Sequence, residues 1–206
     1  METKAVIFDM DGVLIDAREW HYAALNRSLA HFGYIINRYD HLVTYDGLPT
    51  KDKLKMLSKE QGLPEKLHQY INDLKQQYTT EIVHARCKPT FQHEYALAAL
   101  KNRGLKMAVA SNSIRSTVNL MMEKSDLERY LDLQLSNEDV AKSKPDPEIY
   151  IKAMDLLGVS PQETLIVEDN PHGVAAARAS QARVLVVKDV VDVNLANIDR
   201  AINQAQ

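Results

Sequence analysis

Short apolar runs that alternate with helical stretches are the feature that most constrains the fold of this chain. Four of them span residues 5–8, 107–110, 165–167 and 184–187, and residues 133–136 form a weaker fifth. The four do not alternate apolar with polar side chains, which is typical of strands that are covered on both faces. Since helical segments separate the runs, the pattern predicts an α/β fold built on a doubly wound parallel sheet.

Polar residues, proline and glycine mark where several helices begin and end. Asp146 and Pro147 have the form of an N-cap followed by proline at the first helical position. Gly158 is expected to end that helix, and its predicted buried stripe consists of Tyr150, Ala153, Met154 and Leu157. The segment Ser160-Pro161-Gln162-Glu163 has the form of a capping box, and Asn170-Pro171 is expected to open another helix.

Residues 17–83 interrupt the alternation of strand and helix. They contain helical patterns at about residues 19–32, 50–60 and 64–83, and none of the strand patterns seen elsewhere. We therefore predict that residues 1–16 and 84–206 form the α/β core, and that residues 17–83 form an inserted helical cap. Because open parallel sheets bind ligands beyond the carboxyl ends of their strands, we expect this insertion to act as a lid over the site.

Length and charge exclude several classes of protein. With 206 residues, the chain is long enough for one core and a modest insertion. A net charge of -3 gives no general attraction to nucleic acid or to an anionic membrane. A single cysteine, Cys87, excludes a disulfide framework and a cysteine-based zinc site within one chain, and we expect it to be a structural thiol. No signal peptide or membrane span is recognisable, so we expect a cytoplasmic protein. We also expect a monomer or a weak oligomer.

Two acidic pairs follow two of the predicted strands. Asp9 and Asp11 come directly after the first run, and Glu168 and Asp169 follow the run at 165–167. If both strands belong to one parallel sheet, up to four carboxylates meet at the same edge. Two like charges about 4 Å apart repel by roughly 4 kcal/mol at an effective dielectric constant near 20. Such a cluster requires either a bound cation or shifted pKa values, and the pattern favours the cation. All-oxygen ligands with room for water and phosphate favour Mg²⁺, although Asp-Gly alone is also typical of a simple turn.

Two further segments offer groups that bind anions. Ser111-Asn112-Ser113 follows the strand at 107–110, where hydroxyl and amide groups can hydrogen-bond an oxyanion or cap a helix. Lys144 precedes Pro145 and Pro147, so a stiff backbone holds it, unlike a freely moving surface lysine. Its ammonium group could neutralise an aspartate nucleophile and a phosphoryl oxygen together. Ser111, Asn112 and Lys144 are thus candidates to bind a phosphoryl oxyanion, although Lys144 taken alone is better explained as a surface lysine.

In combination, these segments resemble the four ordered motifs of the haloacid dehalogenase superfamily. The segments are Asp9-Met10-Asp11-Gly12-Val13-Leu14, Ser111, Lys144-Pro145 and Glu168-Asp169, and their order and spacing match over nearly the whole chain. The helical insertion after the first motif is similar to the cap of the branch that contains β-phosphoglucomutase and phosphoglycolate-type phosphatases. The resemblance implies a Rossmann-like core and an enzyme that transfers phosphate.

The resemblance also implies a role for each motif residue. Asp9 would be the nucleophile that forms an aspartyl-phosphate, and Asp11 would be the general acid and base. Asp9, Asp11 through its backbone carbonyl, Glu168 and Asp169 would hold Mg²⁺. A second aspartate at position 11 separates the chain from the dehalogenases of the superfamily, so carbon–halogen chemistry is not expected.

Residues of the predicted cap and near the predicted site are expected to determine which substrate the protein accepts. His21 stands where β-phosphoglucomutase has a histidine in a proton relay, although a histidine on a helix face explains the position equally well. Lys51 stands in a cap loop where the mutase has an arginine, and lysine lacks the bidentate fork of arginine. Ala17 replaces the Thr or Ser that many relatives carry to position the acid/base aspartate. Arg115 is either a substrate contact or an exposed side chain.

Three functions are compatible with this pattern. The first is a phosphatase that acts on a small phosphorylated metabolite, expected to be a sugar phosphate, and the second is a β-phosphoglucomutase-type mutase. Lys51 and Ala17 favour hydrolysis. The third is a phospho-receiver signalling module, against which the helical insertion and the second aspartate, Asp11, argue.

Overall fold

A parallel five-stranded sheet forms the centre of the larger of two units in the computed structural model, which describes residues 2–203. The strand order is β3-β2-β1-β4-β5, and every neighbouring pair is parallel. The strands are β1 Ala5–Phe8, β2 Lys106–Ala110, β3 Leu133–Leu135, β4 Thr164–Glu168 and β5 Arg183–Val186. All five predicted strands are present, and the prediction of a parallel α/β sheet is confirmed.

The strand order explains why the chemistry gathers at one place. Chain connections run from β1 to β2 and β3 on one side, whereas β4 and β5 lie on the other side. The sheet therefore reverses its direction of growth between β1 and β4, and ligands bind outside the carboxyl ends of strands at such a switch point. Every residue of β1 and β4 is buried, as expected for central strands covered on both faces.

Helices of the larger unit pack against this sheet and against one another. They are α5 Phe91–Asn102, α6 Arg115–Lys124, α7 Glu148–Leu157, α8 Pro171–Ala179 and α9 Leu195–Asn203. Short 3-10 turns occur at Glu128–Tyr130, Asn137–Asp139, Pro161–Glu163 and Val190–Asp192. Helix α7 contacts β1, β2 and β3, and α8 contacts β4 and β5.

Most predicted helix signals are confirmed. The four residues of the α7 stripe are buried, Gly158 ends that helix with a φ of 65°, and Ser160 and Glu163 form the predicted capping box. Asn170 caps α8. The predicted start of α7 is wrong by one residue, because Pro147 occupies the N-cap position and the helix begins at Glu148. The Asp146 carboxylate still accepts a hydrogen bond from the Glu148 backbone N–H, at 3.1 Å.

The second unit, Ala17–Arg86, is helical and has its own apolar core. It contains α1 Arg18–Ala30, α2 Arg38–Asp40, a π-helix at His41–Tyr45, α3 Thr50–Gln61, a 3-10 turn at Glu65–Leu67 and α4 His68–Arg86. Helix α4 begins four residues later and ends three residues later than the predicted helix at 64–83, and the π-helix was not predicted. Helices α1 and α4 pack against each other. The expected role of this unit as a lid stays a prediction.

Membrane insertion has no candidate segment within residues 2–203. None of the helices described there is both long enough and apolar enough to cross a bilayer.

Candidate active site

Three carboxylates meet at the carboxyl ends of β1 and β4. Asp9 follows the last residue of β1, and its backbone N–H donates to the Val167 carbonyl of β4 at 3.0 Å. Glu168 ends β4 and Asp169 follows it. One carboxylate oxygen from each of Asp9, Glu168 and Asp169 lies within 4.8 Å of the others, a spacing that suits a single metal ion. The structure thus brings together acidic residues that are about 160 positions apart in sequence.

Lys144 lies within this acidic group. Its Nζ donates to Asp9 Oδ1 at 2.6 Å, to Glu168 Oε1 at 2.7 Å and to the Ala110 carbonyl at 2.8 Å. All three donor positions of the ammonium group are therefore used. The residue is only 4% exposed, and its peptide bond to Pro145 is cis. Lys144 is thus a fixed cation inside the site.

Tyr150 of α7 adds a further donor. Its hydroxyl donates to Glu168 Oε1 at 2.6 Å, and its ring centroid lies 4.6 Å from Lys144 Nζ, within range of a cation–π contact. Tyr150 is fully buried. The sequence pattern placed it in the buried stripe of α7 but gave no indication of this hydrogen bond, although a buried tyrosine hydroxyl requires a partner.

Two glycines leave space for the carboxylates. A Cβ on Gly12 would overlap the Asp169 carboxylate, and Gly12 has a φ of +91°, a conformation that other residues rarely adopt. A Cβ on Gly173 of α8 would overlap the Glu168 carboxylate. The backbone therefore approaches both acidic side chains closely enough to fix their position.

Asp11 lies beside the segment that follows β2. Its Oδ2 accepts a hydrogen bond from the Ser113 hydroxyl at 3.0 Å, and the Ser113 backbone N–H donates to Ser111 Oγ at 3.0 Å. Ser111 itself is buried, and its backbone N–H donates to the Leu135 carbonyl of β3. The segment does not cap α6, because Ile114 occupies the N-cap position and provides no side-chain cap.

The side chain of Asn112 contacts the backbone of Lys144, which the sequence pattern did not predict. Its side-chain oxygen accepts from the Lys144 backbone N–H at 3.1 Å, and its amide nitrogen lies 3.4 Å from the Lys144 carbonyl. The side chain thus ties the lysine loop to the end of β2. Direct phosphate binding by Ser111, Asn112 and Lys144 stays a prediction.

The surplus of negative charge affects the protonation of the site. Burial raises the pKa of the Asp9 carboxyl well above its usual range, Lys144 opposes the shift, and Glu168, Asp169 and Asp11 reinforce it. Burial lowers the pKa of Lys144, but Asp9 and Glu168 outweigh this effect and raise it overall. Burial also raises the pKa of the Tyr150 hydroxyl, which Glu168 reinforces.

These charges fit a divalent cation. Four carboxylates face one ammonium group, so a second positive charge would favour the ionised form of Asp9. The available donors are oxygens, which hard cations such as Mg²⁺ prefer over soft metals. Asp9, Glu168 and Asp169 are the side chains in position to hold the ion.

The two predicted substrate residues, His21 and Lys51, lie in the helical unit. His21 Nδ1 lies 3.2 Å from Lys75 Nζ, a buried lysine of α4 that the sequence pattern did not single out. Lys51 is exposed at the start of α3. In the larger unit, Arg115 forms an ion pair with Asp139 at 2.5 Å, so its guanidinium already has a carboxylate partner.

Cys87 has the features of a structural thiol. It is buried, and its thiol lies 3.7 Å from the Met121 carbonyl. Burial raises its pKa to about 11, so the reactive thiolate is scarce at neutral pH.

Comparison with known proteins assigns the family. A sequence model of the haloacid dehalogenase-like hydrolases matches residues 6–187. The chain belongs to this family. The prediction of a hydrolase from the haloacid dehalogenase superfamily, with a Rossmann-like core, is therefore confirmed.

Phosphatases are among its curated relatives. The chain is 28% identical over 182 residues to the phosphorylated carbohydrates phosphatase of Thermotoga maritima, covering 86% of this chain and 81% of the relative. It is also 28% identical over 192 residues to the phosphoglycolate phosphatase of Aquifex aeolicus, covering 93% and 88%.

Solved structures share the fold at lower sequence identity. A β-phosphoglucomutase from Clostridium difficile superposes with a TM-score of 0.85 at 20% identity, covering 98% of both chains. CbbY from Rhodobacter sphaeroides, solved in complex with phosphate, gives a TM-score of 0.82 at 22% identity, covering 89% of this chain and 85% of that one. At such identities the likeness establishes the fold alone.

Proposed function

We propose that this haloacid dehalogenase-like hydrolase is a Mg²⁺-dependent phosphatase that acts on a small phosphorylated metabolite through an aspartyl-phosphate on Asp9. The observation that carries the proposal is the contact of Lys144 with both Asp9 and Glu168. The acid/base candidate Asp11 follows Asp9 by two residues. A fixed cation next to a nucleophilic carboxylate and a metal-binding cluster is the arrangement that phosphoryl transfer requires.

In the first step, Asp9 attacks phosphorus. A bond forms between a carboxylate oxygen of Asp9 and phosphorus, and the ester P–O bond breaks. Asp11 gives its proton to the departing oxygen, so the leaving group departs as an alcohol. Mg²⁺, when bound, offsets the charge of the nucleophile and of the phosphoryl oxygens.

The second step releases phosphate. Asp11, now ionised, takes a proton from a water molecule, whose oxygen attacks phosphorus. The bond between phosphorus and Asp9 breaks, which regenerates the carboxylate and leaves Asp11 protonated for the next cycle. Lys144 and the Ser111 hydroxyl hold the transferring phosphoryl group in both steps.

A sugar phosphate is the proposed class of substrate. The name of the Thermotoga maritima relative, a phosphorylated carbohydrates phosphatase, supports this choice. We place the control of substrate choice in the cap, with His21 and Lys51 as candidates. A cytoplasmic location and a monomeric or weakly associated state stay predictions.

A hexose-phosphate mutase of the β-phosphoglucomutase type is the second candidate. The contact of His21 with Lys75 favours it, since it gives His21 a polar partner inside the helical unit, as a proton relay would need. Lys51 and Ala17 favour hydrolysis instead. Lys51 stands where the mutase is expected to have an arginine, and Ala17 lacks the hydroxyl that many relatives use to position the acid/base aspartate.

A panel of phosphomonoesters assayed with Mg²⁺ tests the proposal. We expect free phosphate from at least one sugar phosphate, loss of activity in Asp9→Asn and in EDTA, and recovery when Mg²⁺ is restored. Asp155→Asn, an exposed position on α7, is the matched control and should retain activity.

The same panel distinguishes the two candidates. Isomerisation of β-glucose 1-phosphate without release of phosphate would assign the mutase. Hydrolysis that persists in Asp9→Asn or after complete removal of metal would exclude the proposed mechanism.

A further inference from the structure

The hydroxyl of Ser113 donates a hydrogen bond to Oδ2 of Asp11 at 3.0 Å, although 102 positions separate the two residues. The bond joins the end of β2 to the turn that follows β1. Nothing in the sequence pattern assigned this hydroxyl a partner, and Ser113 belongs to none of the metal or phosphate sets described above.

The backbone of Ser113 is fixed on both sides. Its N–H donates to Ser111 Oγ at 3.0 Å, and its carbonyl accepts from the Asn137 N–H at 3.1 Å. The position of the hydroxyl is therefore set by the fold rather than by a mobile loop. Because the N-cap of α6 is Ile114, Ser113 is not needed to begin that helix.

The chain around Asp11 has no hydroxyl of its own. From Lys4 to His21 there is no Ser, Thr or Tyr, and position 17 is alanine. A hydroxyl that orients Asp11 must therefore come from a distant segment, and Ser113 provides it.

We propose that Ser113 is a positioning residue for the acid/base Asp11. A hydrogen bond to Oδ2 restricts rotation of the carboxyl group about its Cβ–Cγ bond, so the other oxygen keeps one direction for proton transfer. The bond persists through the cycle, because Oδ2 accepts from the hydroxyl whether or not the other oxygen carries a proton. Orientation of this kind matters, since small displacements of a catalytic group slow proton transfer strongly.

This inference rests on the proposed phosphatase function and makes a distinct prediction about leaving groups. An alkyl phosphate needs a proton on its departing oxygen, whereas p-nitrophenyl phosphate departs as a stable phenolate. Loss of acid orientation should therefore slow the alkyl ester selectively.

The test compares kcat/KM for these two esters, since this constant reports the step that forms the phosphoenzyme. For Ser113→Ala we expect a loss of about tenfold or more with an alkyl sugar phosphate and less than about twofold with p-nitrophenyl phosphate. Ser113→Thr keeps a hydroxyl and should recover most of the loss. Ser116→Ala, an exposed serine on α6, is the matched control and should behave as the wild type.

Equal losses for the two esters, or a threonine variant no better than alanine, would overturn the inference. Thermal unfolding of each variant, followed by circular dichroism, measures the folded fraction to which both rates are referred, so that equal losses report on the site and not on unfolded protein. If the wild type hydrolyses neither ester, the phosphatase proposal itself fails; if it hydrolyses both but the variants show no selectivity, only the role of Ser113 fails.

Discussion

Lys144 Nζ lies 2.6 Å from Asp9 Oδ1 and 2.7 Å from Glu168 Oε1, and this single ammonium group joins the carboxylates at the ends of two neighbouring central strands. All three side chains are buried or nearly so. Removal of one partner from a buried ion pair leaves an uncompensated charge, which costs more than the pair contributed. The proposed catalytic arrangement and the stability of the sheet edge therefore depend on the same contact.

Replacement of Lys144 by methionine should abolish turnover and destabilise the fold. We expect a loss of about 3–5 kcal/mol in the free energy of unfolding, because Asp9 and Glu168 would remain buried without their cation. Urea denaturation and the phosphatase assay measure the two effects. Lys142→Met is the matched control: its side chain is exposed, and its ion pair with the half-buried Asp146 should be worth no more than about 1 kcal/mol. Similar losses in the two variants would contradict the assignment.

Tyr150→Phe isolates the hydroxyl that donates to Glu168. The ring and its packing stay, so the expected cost is that of one hydrogen bond to a charged group, about 1.5–3 kcal/mol. Urea denaturation measures it, and Tyr95→Phe, at an exposed tyrosine, should change stability by less than about 0.5 kcal/mol. If Tyr150→Phe is as stable as the wild type, the Glu168 carboxylate does not depend on this donor.

Magnesium should stabilise the wild-type fold. If Mg²⁺ binds the acidic cluster of the folded state as proposed, a concentration of 100 times the Kd should add about 2.7 kcal/mol to the free energy of unfolding. Thermal unfolding in Mg²⁺ and in EDTA measures the shift, which should shrink in Asp169→Asn and persist in Asp155→Asn. An equal shift in both variants would place the bound ion elsewhere.

Acid should weaken the helical unit through His41. Its side chain is 2% exposed, its ring centroid lies 4.6 Å from that of Tyr22, and neither ring nitrogen has a hydrogen-bond partner among residues 2–203. Burial lowers its pKa below the usual 6.5; Lys53 and Arg18 act in the same direction, whereas Asp46 and Glu19 oppose them.

The sign of the effect follows from linkage. Below about pH 6.5 the unfolded chain binds a proton at this histidine more readily than the folded chain, so stability is present above that pH and is lost as the pH falls. Thermal unfolding between pH 7.5 and 5.5 should show this loss in the wild type and a smaller one in His41→Phe. His93 is also buried with a lowered pKa, and its contribution to the pH dependence of stability is the same in the wild type and in His41→Phe. His84→Gln, at an exposed position, should retain the full slope; a full slope in His41→Phe would contradict the prediction.

Strand positions and their acidic ends were predictable from the sequence for a physical reason. Central parallel strands are buried on both faces, so they appear as continuous apolar runs, and the residues that end them meet at one edge whatever their separation in sequence. This logic placed Asp9 beside Glu168 and Asp169 without knowledge of any distance.

The hydrogen-bond partners of side chains at the sheet edge were harder to predict from the sequence. Periodicity marked Tyr150 as buried, but its bond to Glu168 depends on how α7 packs against the sheet. The roles of Asn112 and Ser113 depend likewise on loops that the strand order brings together. The π-helix at His41–Tyr45 was missed because its hydrogen-bond pattern leaves no distinctive residue signal, and the start of α7 was misplaced because proline suits both the cap and the first turn.

Mass spectrometry of the phosphorylated protein tests the central claim most directly. Asp11→Asn should take phosphate from p-nitrophenyl phosphate, which needs no acid, yet lose it slowly, because no base activates water. After a reaction in the presence of Mg²⁺ and quenching in acid, we expect one added phosphoryl group on the peptide that contains Asp9. The double variant that also carries Asp9→Asn should have none. Phosphate on another residue, or continued release of phosphate by the Asp9→Asn variant, would contradict the account.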